Sequence, residues 1–317
     1  MFIKSECYIH KQGQMSFTYG RGQGNADIQI DHQKCTVCGL CVTVCKGAPL
    51  SISDNKIQVD QSQLFGCIGC GSCMAVCPND AIKIKGRDIS FADTFPLSHA
   101  RESAGYDQLL KLLQSRRSTR DFQEKDIEPE IIQKILHAAA TAPMGIPPSE
   151  VGVVVLSGRR KVADLKDRLL FFLKQAAPFF SPFLLALMSP FMSKEDSLAM
   201  KQFVAPGIRF YLKDAESGRD WFFYNAPLAL CFHATPYADP ADAYIAATYA
   251  MLTGQALGLG TCMLGFPMMM VQYSRKIRDE FHFPKKMRGG LVVIMGYPKL
   301  KYRRGIIRRF ASVEILS

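Results

Sequence analysis

Eight of the eleven cysteines in the chain fall into two runs with the same spacing, CTVCGLCVTVC and CIGCGSCMAVCP. Each run is a C-x2-C-x2-C-x3-C pattern, which is typical of iron–sulfur cubanes. Three thiolates on a tight loop can reach three corners of a cluster, while the fourth ligates the neighbouring cluster. This rule predicts two [4Fe–4S] clusters, one held by Cys35, Cys38, Cys41 and Cys77 and the other by Cys67, Cys70, Cys73 and Cys45. A zinc site or a disulfide framework fits two such quartets less well.

Residues 31–86 resemble a bacterial two-cluster ferredoxin domain, from the lead-in IDHQKC to the return strand AIKIK. The resemblance implies a domain that moves single electrons and performs no substrate chemistry. Three cysteines are left over, Cys7, Cys231 and Cys262. Cys231 and Cys262 lie in apolar runs, so we expect them to be ordinary buried thiols.

A second candidate group is SRRSTRDF at 115–122, with three arginines in eight positions. Such a cluster can be a solvated helix end, a nucleic-acid patch or a cradle for one anion. The net charge is +11, but the basic residues form no single long tract and accompany no nucleic-acid-binding signature. Nucleic acid is therefore disfavoured, and acidic electron carriers or phosphorylated cofactors fit the charge better.

The elements around these groups predict a layered α+β domain. YDQLLKLLQSR is an expected helix that delivers the arginine motif at its end, and IEPEIIQKILHAAATAP is a second helix with one apolar face. We expect strands at VGVVVL, APLALCFHA and GGLVVIMGYP. DPADAYIAATYAMLTGQALGLG predicts a long, buried helix that ends in glycines.

Residues 106–317 resemble the nitroreductase family of FMN-dependent proteins, although 157–224 has no recognisable counterpart. Four segments carry the likeness: SRRSTRDF, TAPMGIPPSEV, QALGLGTCMLG and GYPKLKYRRGIIR. With the preceding clusters, the whole resembles the ferredoxin-fused branch of the family. The resemblance implies that Arg116 and Ser118 contact the phosphate and ribityl end of FMN and that Arg120 contacts the N1/O2 edge of the flavin. It implies a backbone contact with the N5/O4 edge from Gly258, Leu259 and Gly260. It also implies a second phosphate contact from an arginine of the tail, Arg304 by position, with Arg303 and Arg308 as alternates.

TAPMGIPPSEV departs from the family pattern, in which this segment reaches the partner's flavin across a dimer. Pro143, Met144 and Gly145 match by position, but residues 147–150 replace the polar amides. The substrate preference of a typical nitroreductase therefore need not apply. The apolar segment at about 170–220 predicts a lid or an interface, with contact at a membrane surface as an open alternative.

These features predict an iron–sulfur flavoenzyme that passes electrons from a low-potential donor through two [4Fe–4S] clusters to FMN and on to a nitroaromatic, a quinone or an activated alkene. No side chain stands out as a proton donor. A flavin-consuming enzyme of the same fold and a non-catalytic redox relay or sensor remain alternatives, and the resemblance leaves the use of NAD(P)H open. We expect a ferredoxin or flavodoxin-type electron donor and a homodimer. We also expect a cytoplasmic location, since the start of the chain lacks the pattern of a signal peptide. The predicted organisation is an N-terminal extension (1–30), a two-cluster domain (31–86), a linker (87–105) and an FMN domain (106–317).

Overall fold

A computed structural model describes residues 24–64, 66–87, 89–98, 102–145, 149–236 and 238–316. The described residues form two compact units, the first within residues 24–95 together with 149–150 and the second within 96–145 together with 151–316. Most of the predicted N-terminal extension, including Cys7, lies outside the described residues. The predicted domain boundaries stay predictions.

In its described residues, the first unit contains two small antiparallel pairs of strands and two short helices. Strand β1 (Asp27–Ile30) pairs with β4 (Ile82–Lys85), and β2 (Leu50–Ser53) pairs with β3 (Lys56–Val59). Helix α1 is Leu40–Val44 and helix α2 is Ser72–Val76. The core is small, and its buried apolar members outside the cysteines are Ala26, Leu50, Ile57, Met74, Ile82 and Ile84. Ile89 and Phe91, from the predicted linker, also pack on this core.

The second unit is built on a four-stranded antiparallel sheet with the order β5–β6–β8–β7. The strands are β5 (Val151–Ser157), β6 (Leu228–Ala234), β7 (Gly260–Leu264) and β8 (Arg288–Gly296). Three of them were expected from the sequence, whereas β7 was not. Side chains alternate between the two faces, as the two-residue period of a strand requires. On β6, for example, Leu228 and Leu230 enter one hydrophobic core while Ala229 and Cys231 enter the other.

Helices cover both faces of this sheet. Helices α4 (Pro129–Ala140) and α9 (Pro240–Ala256) contribute to one core, and α5 (Arg159–Ala176), α8 (Ala205–Glu216), α10 (Phe266–Tyr273) and α11 (Arg275–Glu280) contribute to the other. Helix α3 (Tyr106–Ser115) leads into the arginine motif. The inner face of α9 is largely alanine, and its buried side chains confirm the expected central helix. The predicted layered α+β class is confirmed.

The interval without a family counterpart is helical, with α6 (Pro182–Met188) and α7 (Lys194–Ala199) between α5 and α8. Part of it is core, since Leu169, Leu173 and Ile208 are buried. Its aromatic side chains at 179, 183, 191 and 203 are exposed. No single helix in the described ranges is long and apolar enough to cross a membrane, although Arg159–Phe180 and Pro182–Phe191, which meet at 64°, satisfy length and composition together. The lid or interface role stays a prediction.

Candidate functional site

The eight cysteines of the two runs line two cavities in the first unit, and each cavity takes ligands from both runs. Cys77 joins Cys35, Cys38 and Cys41 around one cavity. Cys45 joins Cys67, Cys70 and Cys73 around the other, which has a volume of about 290 Å³. The structure therefore brings together the two crossed sets that the spacing rule assigns. Within the described ranges, no three His, Cys, Asp or Glu side chains converge closely enough to hold a single metal ion.

The loops that carry the first three cysteines of each run have the same backbone shape. Val37 and Gly69 occupy equivalent positions with φ of 55° and 71°, and Gly39 and Gly71 follow with φ of 77° and 74°. The left-handed conformation costs a non-glycine residue roughly 1–2 kcal/mol, so Val37 is strained. Strain of this kind is typical of ligand clamps, where the surrounding structure enforces it.

The electrostatics of the thiols favours a positively charged occupant. Burial and repulsion from neighbouring thiolates raise the pKa of Cys73 to about 12, and burial also raises the pKa of Cys67 and Cys41. Thiolates at these positions need compensating positive charge, which iron supplies on binding. The backbone N–H of Ala81 points to the sulfur of Cys77 at 3.3 Å, as cluster sulfurs commonly accept such bonds. The donor set fits two [4Fe–4S] clusters.

In the second unit, the arginine motif runs from the end of α3 between two distant parts of the chain. The N–H of Thr119 donates to the carbonyl of Thr261 in β7 at 2.9 Å. Further along, the N–H of Lys299, just after β8, donates to the carbonyl of Asp121 at 3.1 Å. Phe122 is buried and anchors this end in the core. Because β7 and β8 are neighbours, the motif and the basic tail are held side by side.

The motif and the tail enclose a cleft of about 760 Å³ that contains five arginines. These are Arg116, Arg117, Arg303, Arg304 and Arg308. Tyr302 fixes the tail by donating from its hydroxyl to the carbonyl of Ser118 at 3.3 Å. The structure thus brings the predicted Arg116 together with all three tail candidates.

This cleft has the properties of an anion site. Burial, followed by repulsion from Arg117 and Arg308, lowers the pKa of Arg116. The Nε of Arg117 is buried and has no hydrogen-bond partner. A bound anion such as a phosphate stabilises such a group of arginines, because it offsets their mutual repulsion and accepts a hydrogen bond from the unused donor. These residues fit the phosphate end of FMN.

The predicted glycine loop lies beside the motif but does not line the cleft. Gly258 ends α9 with φ of 82°, a left-handed conformation that glycine adopts without strain. Gly260 packs directly on the side chain of Thr119, with no room for a Cβ. Leu259 is 1% exposed and belongs to the core, and its N–H donates to the carbonyl of Gly254 at 2.8 Å, so this predicted contact lies in the core rather than in the cleft.

The predicted segment Pro143–Gly145 is likewise outside the cleft lining. The N–H of Gly145 donates to both carboxylate oxygens of Asp242, at 3.3 and 3.1 Å. Asp242 lies in the first turn of α9 and is buried. This bond ties the segment to α9, and residues 146–148 lie outside the described ranges.

Two tyrosines beside Arg120 were missed at the level of sequence. The Arg120 guanidinium lies 5.6 Å from the centre of the Tyr224 ring, and its charge also acts on Tyr211. Burial raises the pKa of both phenols, so both keep their protons near neutral pH. The ring of Phe266 stacks with Tyr211 and the ring of Phe222 packs against it at a tilt of 42°, which makes this an aromatic patch with one cation.

Asp220 builds the turn that presents Tyr224. Its carboxylate accepts three bonds of 2.9 Å from the N–H groups of Phe222, Phe223 and Asn225. Tyr224 and Asn225 both have left-handed φ, at 56° and 53°. The sequence signal for this turn is the aspartate before a run of aromatics, DWFFYN. The pairing with Arg120, about a hundred positions away, has no such signal.

Comparison with known proteins identifies the second unit. Residues 113–297 match the sequence model of the nitroreductase family. The chain belongs to the nitroreductase family. Residues 27–78 match the model of a 4Fe-4S dicluster domain. The predictions of a nitroreductase-type oxidoreductase with an N-terminal ferredoxin-like domain are thereby confirmed.

Solved structures similar to this nitroreductase-family chain include a nitroreductase with bound FMN from Desulfitobacterium hafniense DCB-2. It is 18% identical, with a TM-score of 0.48 over 66% of this chain and 97% of its own. A nitroreductase with bound FMN from Bacteroides fragilis NCTC 9343 is 17% identical, with a TM-score of 0.48 over 66% and 99%. A BluB-like flavoprotein from Clostridium difficile 630 is 19% identical, with a TM-score of 0.46 over 63% and 94%. No curated protein matches the sequence significantly.

Proposed function

We propose that this nitroreductase-family protein is an iron–sulfur flavoenzyme. It takes single electrons from a low-potential carrier through two [4Fe–4S] clusters, passes them to FMN and reduces a small, flat organic acceptor. Nitroaromatics, quinones and activated alkenes have the required chemistry. The observation that carries the proposal is the arginine cleft, since it supplies the charge that an FMN phosphate needs.

The bound cofactors supply the redox chemistry, the clusters one electron at a time and the flavin as pairs. The chain's own residues bind and orient. Arg116 and Arg117 from the motif and Arg308 from the tail oppose the phosphate charge. These arginines would hold the phosphate of FMN, and its negative charge would relieve their mutual repulsion and strengthen the attachment of the tail to the motif.

Arg120 and the aromatic patch act at the other end of the proposed site. A fixed cation there stabilises negative charge that develops on reduction. Tyr224 and Tyr211 hold protons on their hydroxyl oxygens close to that cation. The partly exposed rings of Tyr211, Tyr224 and Trp221 are available to contact a planar acceptor. We assign the role of proton donor, for which no side chain stood out in the sequence, to these tyrosines.

The partners follow from charge and family. A net charge of +11 favours an acidic donor, and we propose a ferredoxin or flavodoxin-type carrier. We further propose a homodimer and a cytoplasmic location. The use of NAD(P)H stays open within this proposal.

The test starts with anaerobic reconstitution using iron, sulfide and FMN, followed by reduction with dithionite and addition of a nitroaromatic or a quinone. The proposal expects flavin and cluster absorbance to return much faster than in a blank of the reduced protein without acceptor. Reoxidation no faster than the blank would leave only a relay or sensor. Consumption of FMN would indicate the flavin-destroying alternative, and failure to bind FMN would overturn the assignment altogether.

A further inference from the structure

Arg87 is the exceptional charged residue of the first unit. It lies two residues after β4 and is 8% exposed, whereas every other described lysine or arginine in this unit is exposed. Its backbone is left-handed, with φ of 53°. Burying a cation and straining its backbone both cost free energy, so a specific interaction must compensate.

The side chain of Arg87 lies over the loop that carries Cys67, Cys70 and Cys73. A Cβ placed on Gly69, within that loop, would lie 3.2 Å from the Cβ and 3.6 Å from the Cδ of Arg87. The Nη1 of Arg87 donates to the carbonyl of Gly24 at 2.7 Å, which holds the guanidinium in place. Its charge acts on the sulfur of Cys67.

The two cysteine sets differ in the burial of two members. Cys67 and Cys73 of the second set are buried, while its other two members, Cys45 and Cys70, are half-buried and exposed. In the first set three cysteines are half-buried and one is exposed. A cluster gains one negative charge when it accepts an electron, and burial disfavours that added charge. Burial by itself would therefore make the cluster of the more buried set harder to reduce, while a nearby buried cation opposes this effect.

We propose that Arg87 raises the reduction potential of the cluster held by Cys45, Cys67, Cys70 and Cys73, and leaves the other cluster almost unaffected. The inference rests on the proposed binding of two clusters. One electron enters the cluster from the external reductant, and no proton or bond change is involved. The positive charge of Arg87 stabilises the reduced form.

The experiment is an anaerobic redox titration with dithionite and mediators, followed by EPR, on the full chain after iron and sulfide have been quantified. Arg87→Gln should shift the reduction equilibrium of one cluster about tenfold toward the oxidised form, which is about 59 mV for a one-electron couple. Arg87→Lys keeps the charge and should shift it less than threefold. Lys85→Gln removes an exposed charge from the preceding strand and should have little effect, because water and salt screen it.

A purely structural role for Arg87 would lower the thermal midpoint of Arg87→Gln without moving either potential, and that result would overturn the proposal. Equal shifts in both clusters would overturn it as well.

A second variant serves if Arg87→Gln takes up no iron. Ile89→Lys adds a charge next to the same loop, since a Cβ placed on Gly69 would lie 3.5 Å from the Cγ2 of Ile89. The same cluster should then become easier to reduce, and an unchanged potential would overturn the proposal. Wild-type protein that binds no clusters would instead refute the proposed function.

Discussion

Replacing Gly260 with alanine tests whether the arginine motif depends on its packing against β7. A Cβ at this position would lie 2.6, 2.7 and 2.8 Å from the Cγ2, Cβ and Oγ1 of Thr119. Thr119 cannot retreat easily, because it is buried and its N–H donates to the carbonyl of Thr261 at 2.9 Å. The substitution must therefore push the motif away from the strand.

Overpacking of this kind costs about 1–3 kcal/mol, which corresponds to roughly a 5- to 150-fold drop in the folded-to-unfolded ratio. Because Arg116 lies three residues before Thr119, the displacement should also weaken FMN retention. The measurements are urea unfolding followed by the fluorescence of Trp221, the single tryptophan, and the fraction of FMN that survives dialysis.

Gly207→Ala is the matched control, since a Cβ there meets nothing within 4 Å. It lies in α8, where alanine is favoured over glycine by roughly 0.5–1 kcal/mol, so this variant should be unchanged or slightly more stable. Adding Thr119→Gly to Gly260→Ala removes the clashing atoms and should recover part of the loss. A Gly260→Ala protein with wild-type urea midpoint and FMN retention would refute the reasoning.

Four further predictions address the cofactors, the proton donor and acid stability. Arg116→Ala should weaken FMN binding, measured by equilibrium dialysis, about 10- to 100-fold, because it removes a charge-assisted hydrogen bond. Arg120→Ala should slow flavin reduction, measured by stopped-flow absorbance, more than it weakens binding. Arg160→Ala is the control, because Arg160 is exposed and lies outside the cleft. The double variant Cys38→Ser, Cys77→Ser should retain roughly four irons per chain, because both residues belong to the same cysteine set. The double variant Cys38→Ser, Cys45→Ser should lose both clusters, because it removes one ligand from each set. Equal iron contents in the two variants would contradict the crossed ligand sets. Tyr224→Phe should slow acceptor reduction about 10²-fold or more while FMN binding persists, and an unchanged rate at all pH values would exclude Tyr224 as the proton donor. The hydrogen bond from the Tyr297 hydroxyl lowers the pKa of Glu128 to about 2, so this pair stabilises the fold above pH 4.5 and loses that effect as the pH falls toward 2. In Glu128→Gln the urea midpoint should therefore depend less on pH over that window. A midpoint that falls with pH as steeply as in the wild type would contradict this prediction.

The sequence by itself determined the features that depend on residues close together in the chain. The spacing of Cys35 to Cys45 and of Cys67 to Cys77 indicates iron–sulfur ligation, because three thiolates on one short loop can reach three corners of a cubane. A long, nearly all-apolar segment that ends in glycines likewise predicted α9, and short apolar runs predicted three of the four strands of the second unit, because segments buried on both sides need apolar side chains throughout. The arginine motif was visible as a charge cluster, and its family resemblance named an FMN site.

Tertiary structure decided which of these residues meet. Strand β7 was missed because GTCMLGF is short and flanked by glycines, yet it supplies the edge on which Thr119 pairs. The cleft closes only because the sheet order places β7 beside β8, which brings the tail to Arg116 across nearly 190 positions. The partnership of Arg120 with Tyr224 and the burial of Arg87 arise in the same way. Contacts between residues so distant in sequence are fixed by the order and packing of whole elements, and no local period or propensity encodes them.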